Sequence, residues 1–114
     1  MKIADTYKGL NYVVKIEGSD IPVEGSFDYG DKTENQKYLE RFHNGELENL
    51  DILVTIFSKS GHVEGFDSLG GCHVRASHIE EDIKSMIDDY GMIENAFQHL
   101  QDNLKEIQKK DLAA

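Results

Sequence analysis

The sequence is poor in several residue types that usually stabilise or mark a protein class. Its 114 residues contain no tryptophan, a single cysteine, Cys72, and a single proline, Pro22. One thiol cannot form an internal disulfide, which excludes the disulfide-rich secreted scaffolds and fits a reducing compartment. No run approaches 18 apolar residues, and Asp5 stands where a signal peptide would need its apolar stretch. We therefore expect a cytoplasmic protein that neither crosses a membrane nor is exported.

Basic residues are scarce as well. Asp and Glu number 22 against 12 Lys and Arg, for a formal net charge of −10 at pH 7. Such an excess of acid repels phosphate backbones and anionic lipids, so direct binding to nucleic acid or to a membrane surface is not expected. A basic protein surface is the natural complement of this charge.

Length and composition indicate a single domain that spans 1–114. Domains usually contain roughly 100 to 200 residues. No break in composition, internal repeat or low-complexity tract divides the chain. A chain of this size can bury enough surface for one hydrophobic core without covalent cross-links.

Alternating apolar residues predict a β-hairpin in the first 30 residues. Its first strand covers 11–17 and its second strand runs over 21–29, joined by a turn at 18–20. Pro22 cannot donate a hydrogen bond to a ladder. The second strand is therefore expected at an edge of the sheet, or only after the proline.

Capping residues mark the first helix. Thr33 and Gln36 have the spacing of a capping box, in which each side chain satisfies a backbone amide of the other residue. Asn44-Gly45 supplies a left-handed stop. These signals predict a helix over 34–43.

The middle of the chain predicts the centre of the sheet. Residues 50–58 are almost continuously apolar, which is typical of a strand that is covered on both faces. A turn at 59–61 leads into a partner strand over 62–66. The pair Gly70-Gly71 is expected to end that strand before a further short one over 72–76.

The C-terminal third has helical spacing. A second capping box, formed by Ser77 and Glu80, precedes apolar positions that continue to Tyr90. Beyond Gly91, apolar residues recur at alternating intervals of four and three from Ile93 to Ile107. The pattern predicts either two helices or one helix that is kinked at Gly91.

Together these elements predict an α+β fold. The expected architecture is an antiparallel sheet of four or five strands in the chain order ββ-α-ββ(β)-α, packed against the long C-terminal helical segment. A central strand that is apolar on both faces needs cover on both, and the helix over 34–43 is short for that task. Homodimerisation through the uncovered face is therefore one hypothesis.

Residues that could perform chemistry gather around Cys72. His73 and His78 follow it, and His62 and Asp67 precede it. Their spacing matches no zinc pattern, because a structural zinc site usually has four donors in short-spaced pairs. Neighbouring residues of a strand point to opposite faces, so His73 is badly placed to take a proton from Cys72. We expect no metal, no cofactor and no catalytic residue, and a Cys/His enzyme is the least favoured hypothesis.

The acidic residues fall in two clusters. In the C-terminal helical region, Glu81 and Asp88 are seven residues apart and would recur on one helix face about 10 Å apart. Rows of carboxylates at such spacings can occupy a basic groove that binds phosphates, whereas the alternative is a solvated face that keeps the protein soluble. The candidate partner-binding residues are Glu80, Glu81, Asp82, Asp88 and Asp89, with Glu24, Asp28 and Asp31 as a second patch on the predicted hairpin.

These observations favour a non-catalytic binding protein. Its acidic surface would dock on a basic surface of a partner, expected to be a nucleic-acid-binding protein, and would block that surface as a nucleic-acid mimic. In size and charge the chain is similar to the small acidic inhibitors that phages and plasmids carry against restriction or CRISPR nucleases. The alternative is a small oligomeric accessory domain that acts through apolar surface, with acid only for solubility.

Overall fold

The chain folds into one antiparallel sheet with helices on both of its faces. The computed structural model describes residues 2–24 and 27–113, with side chains as far as Lys109. The strands, which lie in the order β1-β2-β3-β4, are β1 (Lys2–Tyr7), β2 (Leu10–Gly18), β3 (Leu47–Phe57) and β4 (Glu64–Arg75). The helices are α1 (Lys32–His43), α2 (Ile79–Asp89) and α3 (Met92–Ala113), with a short 3-10 turn, Ala76–His78, before α2. The predicted α+β class and the four-stranded antiparallel sheet are confirmed.

The N-terminal hairpin differs from the predicted one. β1, which was not predicted, pairs with β2 through the two-residue turn Lys8-Gly9. Both turn residues have positive φ, 50° and 79°, as in a type I′ turn, whose twist matches that of the flanking strands. The strand predicted over 21–29 is wrong, because the described residues of that stretch form a loop. Side chains such as Ser19, which accepts the Ile21 N–H at 3.1 Å, satisfy the backbone there in place of a ladder.

β4 is one strand where two were predicted, over 62–66 and 72–76. The pairing of β3 with β4 continues through Gly70-Gly71, and its register shifts opposite Asp51. The Asp51 carboxylate accepts the Gly71 N–H at 3.0 Å. The two glycines therefore form a β-bulge that bends the strand without ending it.

The helix ends show which capping predictions hold. α1 has nearly its predicted bounds, but Asp31 is its N-cap and accepts the Thr33 N–H at 2.7 Å. Ser77 does not cap α2, because it lies in the 3-10 turn and its hydroxyl is 2.7 Å from Nδ1 of His78. Gly91, with a φ of 59°, separates α2 from α3, so the C-terminal segment is two helices.

The core lies between one face of the sheet and the helices α2 and α3. Alternate residues of β2, β3 and β4 point to this face, and the apolar stripes of both helices cover it. Burial of each large aliphatic side chain stabilises the fold by roughly 1.5–3 kcal/mol. The core residues are Val14, Ile16, Leu50, Ile52, Val54, Ile56, Cys72, Val74, Ile83, Ile87, Met92, Ala96 and Leu100.

The opposite face of the sheet is largely uncovered. α1 packs on one end of this face, where the ring of Phe42 lies 4.9 Å from the ring of His73. Beyond α1 on this face, Leu53 and Phe57 are half-buried and Phe66 is 51% exposed. β3 is an interior strand as predicted. Among the described residues α1 leaves part of its second face uncovered, as the short length of that helix led us to expect.

α3 approaches β4 most closely at Gly65. A Cβ on this glycine would lie 2.3 Å from the carbonyl oxygen of Ala96 and 2.3 Å from the backbone nitrogen of Leu100. Only glycine permits this approach of two backbones. After Asn103, whose Nδ2 donates to the Glu64 carbonyl at 2.8 Å, α3 continues past the first residue of β4. The molecule is elongated, with extents of 61 × 26 × 21 Å and a radius of gyration of 17.8 Å, against about 13 Å for a compact chain of this length.

Candidate binding surface

Helix α2 carries the largest group of predicted partner-binding acids. Ile83 and Ile87 face the core, so the opposite side of the helix is in water. Glu81 and Asp88 lie on that outer side, two turns apart, and Asp89 is exposed beside them. In the described part of the chain none of these three carboxylates has an ion-pair partner. We call Glu81, Asp88 and Asp89 the α2 acidic row.

The other two predicted acids of α2 are neutralised locally. Nζ of Lys84 lies 3.1 Å from the Glu80 carboxylate, one helical turn away. Asp82 accepts the Arg75 guanidinium at 2.6 Å and the Arg75 backbone N–H at 2.8 Å. The side-chain hydrogen bonds have the larger effect and the backbone bond the smaller, and together they lower the pKa of Asp82 to about 2. Asp82 therefore fastens the start of α2 to the end of β4.

The second predicted patch lies in the loop between β2 and α1, and not on a hairpin. Asp28 accepts the Gly30 N–H at 2.8 Å and the Asn35 side-chain amide at 3.2 Å, which lower the pKa of its carboxyl. Asp31 caps α1, and Glu24 is exposed. Since α1 and α2 pack on opposite faces of the sheet, the structure does not bring the two predicted patches onto one surface.

Two acids that the sequence analysis did not select extend the α2 acidic row. Asp5 of β1 and Asp88 line one groove of about 270 Å³ together with Tyr12. Burial, followed by the charges of Asp5 and Asp88, raises the pKa of the Tyr12 hydroxyl. Glu94, at the start of α3, accepts a hydrogen bond from the Tyr7 hydroxyl. Because β1 was not predicted, the position of Asp5 beside α2 could not be predicted either.

We call the larger surface the acidic edge. It runs along the outer side of α2 from Glu81, in the first turn, to the place where the end of α2 and the start of α3 meet β1. Lys84 lines the groove within it, but the ammonium of this lysine is already paired with Glu80. The acidic edge consists of Asp5, Glu81, Asp88, Asp89 and Glu94.

The sulfur and histidine candidates lie in three different environments. Cys72 faces the core, is 5% exposed, and donates to the Leu69 carbonyl at 3.5 Å. Burial raises the pKa of this thiol. His73 points to the opposite face, and His78 is held by Ser77. Across the part of the chain that the structure describes, no three His, Cys, Asp or Glu side chains are arranged to hold a metal ion.

An aromatic cluster around His73 is the other feature that the sequence analysis missed. Nδ1 of His73 is 2.8 Å from the Tyr38 hydroxyl, and the Phe27 and Tyr38 rings meet edge to face at 4.4 Å. Burial lowers the pKa of His73. The cluster attaches α1 and the loop before it to the sheet. Its members are Phe27, Tyr29, Tyr38, Phe42 and His73.

Comparison with known proteins identifies no relative. The chain matches no protein-family model, no curated protein and no solved structure. Among the helices described, none combines the length and the apolar character needed to span a bilayer. The function has to be inferred from the chain's own residues.

Proposed function

We propose that this chain is a non-catalytic binding protein whose acidic edge docks on a basic surface of a partner protein. The supporting observation is the α2 acidic row, in which Glu81, Asp88 and Asp89 are exposed and lack ion pairs within the described residues. Unpaired like charges destabilise a folded chain through repulsion. A cationic partner would relieve that repulsion, so its binding to the α2 acidic row would be energetically favourable.

We further propose that the partner binds nucleic acid and that docking blocks it. Grooves that bind phosphates present Lys and Arg side chains, and these groups bond carboxylates as readily as phosphates. The rigid backing of α2 by Ile83 and Ile87 keeps the carboxylates in place before the partner arrives. The protein would then act in the cytoplasm as a nucleic-acid mimic, in the manner of the acidic anti-restriction and anti-CRISPR inhibitors of phages and plasmids.

Affinity capture with matched charge variants tests this proposal. One variant carries Glu81→Lys, Asp88→Lys and Asp89→Lys. Its control carries Glu40→Lys, Glu48→Lys and Glu64→Lys, three exposed acids outside the acidic edge that also lack ion pairs among the described residues. The two variants have the same net charge, so only the position of the charge differs.

We expect the wild type and the control to capture the same nucleic-acid-binding protein from host lysate at low salt. The α2 variant should capture none of it. The complex should weaken as salt rises, because exposed charges are screened over about 8 Å at physiological ionic strength. Equal capture by both variants, or a complex that withstands high salt, would contradict the proposal.

The uncovered sheet face favours a second candidate function. Leu53 and Phe57 are half-buried there and Phe66 is 51% exposed, which leaves an apolar strip of the kind found in protein contacts. A small accessory domain that forms homo- or hetero-oligomers through this strip would bind its partner at all salt concentrations. Its binding would fail in Phe66→Ser and survive in the α2 variant.

A further inference from the structure

The two edges of the sheet differ in how they are protected. On the free side of β4, the Phe66 N–H donates to Nδ1 of His99 at 3.0 Å. The Glu64 carbonyl accepts from the Asn103 side chain at 2.8 Å. Side chains of α3 therefore occupy backbone groups at the start of β4 that an added strand would need.

β1 has no comparable cover among the described residues. Tyr7 precedes a two-residue turn, so it belongs to a hydrogen-bonded pair with β2, as does every second residue before it. Lys2, Ala4 and Thr6 consequently direct their backbone groups away from the sheet. The Thr6 N–H is consistent with this orientation, since it donates to the Asp5 carboxylate at 2.8 Å and not to a carbonyl of β2. The N–H and C=O groups of Lys2 and Ala4 face solvent and can pair with another strand.

The charge beside this edge selects the kind of strand. Asp5 and Asp88 line the groove on the helical side of β1, and Glu94 is held nearby by Tyr7. A strand added to β1 would point every second side chain to this side. Basic residues at those positions would lie beside carboxylates, whereas a second copy of this chain would bring its own carboxylates to the same side and be repelled.

We propose that β1 accepts an extended, basic segment of a partner protein as a fifth strand. This inference rests on the proposed function and names the element that docks. Backbone hydrogen bonds to Lys2 and Ala4 would supply the affinity, and the acidic edge would supply the preference for Lys or Arg at alternate positions.

A synthetic peptide tests the proposal with the whole chain. The probe is an eight-residue peptide of alternating lysine and valine, blocked at both ends. We expect its binding to shift the backbone amide NMR signals of β1 more than those of β3 or β4. The same peptide with every amide N-methylated keeps its charge but cannot donate hydrogen bonds, and it should bind at least ten-fold more weakly. Equal binding of the two peptides would overturn the proposal.

Two variants of the protein provide the complementary test. Ala4→Pro removes an outward N–H and leaves the β1–β2 ladder intact, so we expect at least ten-fold weaker binding of the lysine–valine peptide by a folded protein. Asp88→Asn should weaken binding several-fold and reduce its dependence on salt, with Glu48→Gln as the control of unchanged affinity. Unchanged peptide affinity in folded Ala4→Pro would refute the added strand. If Ala4→Pro does not fold, the N-methylated peptide decides.

The outcomes separate this inference from the proposed function. If the partner captured from lysate is lost by the α2 variant and kept by folded Ala4→Pro, acidic docking holds and the added strand is wrong. If both variants lose it, both proposals hold. If both variants keep it, both proposals fail.

Discussion

Gly65 and Ala96 bring a strand and a helix into backbone contact, since a Cβ at residue 65 would lie 2.3 Å from the Ala96 carbonyl oxygen. The neighbouring backbone of Leu100 is equally close and cannot move aside as a flexible side chain would. We expect Gly65→Ala to lower the free energy of unfolding by about 3 kcal/mol or more, because α3 must shift on β4. Urea unfolding measures the change.

Gly18→Ala is the matched control for this prediction. A Cβ at Gly18 meets nothing within 4 Å, and the residue does not have a positive φ. The free energy of unfolding should stay within about 0.5 kcal/mol of the wild type. Equal losses in the two variants would contradict the close approach at Gly65.

The bond between Asp82 and Arg75 predicts a loss of stability in acid. The pKa of Asp82 falls from its ordinary 3.8 to about 2 in the folded chain. A lowered carboxyl pKa stabilises the fold at pH values above the ordinary one, and this contribution disappears as the pH falls from about 4 through about 2. Asp82→Asn should lower the urea midpoint at neutral pH and flatten its dependence on pH in that window. Glu80→Gln, which removes only an exposed pair with Lys84, should leave both nearly unchanged.

The aromatic cluster predicts a second pH dependence near neutrality. Burial lowers the pKa of His73 below its ordinary 6.5, so the unfolded chain takes up a proton before the folded chain does. The contribution of neutral His73 is present above that pH and is lost as the pH falls below it. The protection factors of the α1 amides, which compare the observed exchange rate with the intrinsic rate at the same pH, should therefore fall on acidification below about pH 6.5. A proton NMR titration of His73 with a midpoint above 6.5 would contradict this prediction.

Cys72 should be unreactive in the folded protein. Its side chain is 5% exposed and burial raises the pKa of its thiol, so little thiolate is available to react. We expect a thiol reagent such as iodoacetamide to modify Cys72 at least ten-fold more slowly in native buffer than in urea. Cys72→Ser should retain partner binding, because a hydroxyl can also donate to the Leu69 carbonyl. Loss of activity in a folded Cys72→Ser variant would instead favour the Cys/His enzyme.

The helices could be predicted from the sequence because their signals are local. The apolar stripe of α3 and the break at Gly91 depend on residues within a few turns of one another. β1 was missed because Asp5 stands between Ile3 and Tyr7 and interrupts the apolar alternation, and because Lys8-Gly9 lacks the Asn-Gly signature of a tight turn. The helices were predicted because their local patterns are strong, and β1 was missed because its local pattern is weak.

The false strand over 21–29 has the opposite cause. Its alternating apolar residues are real, but Phe27 and Tyr29 pack against Tyr38 of α1 instead of joining a sheet. A period of two shows that one side of a segment is apolar, and it does not show what that side contacts. The ring that Phe27 and Tyr29 contact belongs to Tyr38 of α1, about ten residues further along the chain.

The candidate binding surface was only partly predictable for a related reason. The sequence shows where carboxylates are dense, but not which of them are paired. Arg75 reaches Asp82 only because β4 leads into α2 through a short turn, and Asp5 joins Asp88 only because β1 is at the edge beside α2. These residues are neighbours only in the tertiary structure, so the acidic edge could not be defined from the sequence.

The length of α3 affects how the mass of the protein must be measured. A particle of 61 × 26 × 21 Å diffuses more slowly than a sphere of the same 12.9 kDa. On a size-exclusion column calibrated with globular standards, one copy would elute early and could be taken for two. Static light scattering reports molar mass independently of shape, and it is the measurement that should decide whether the uncovered sheet face joins two chains.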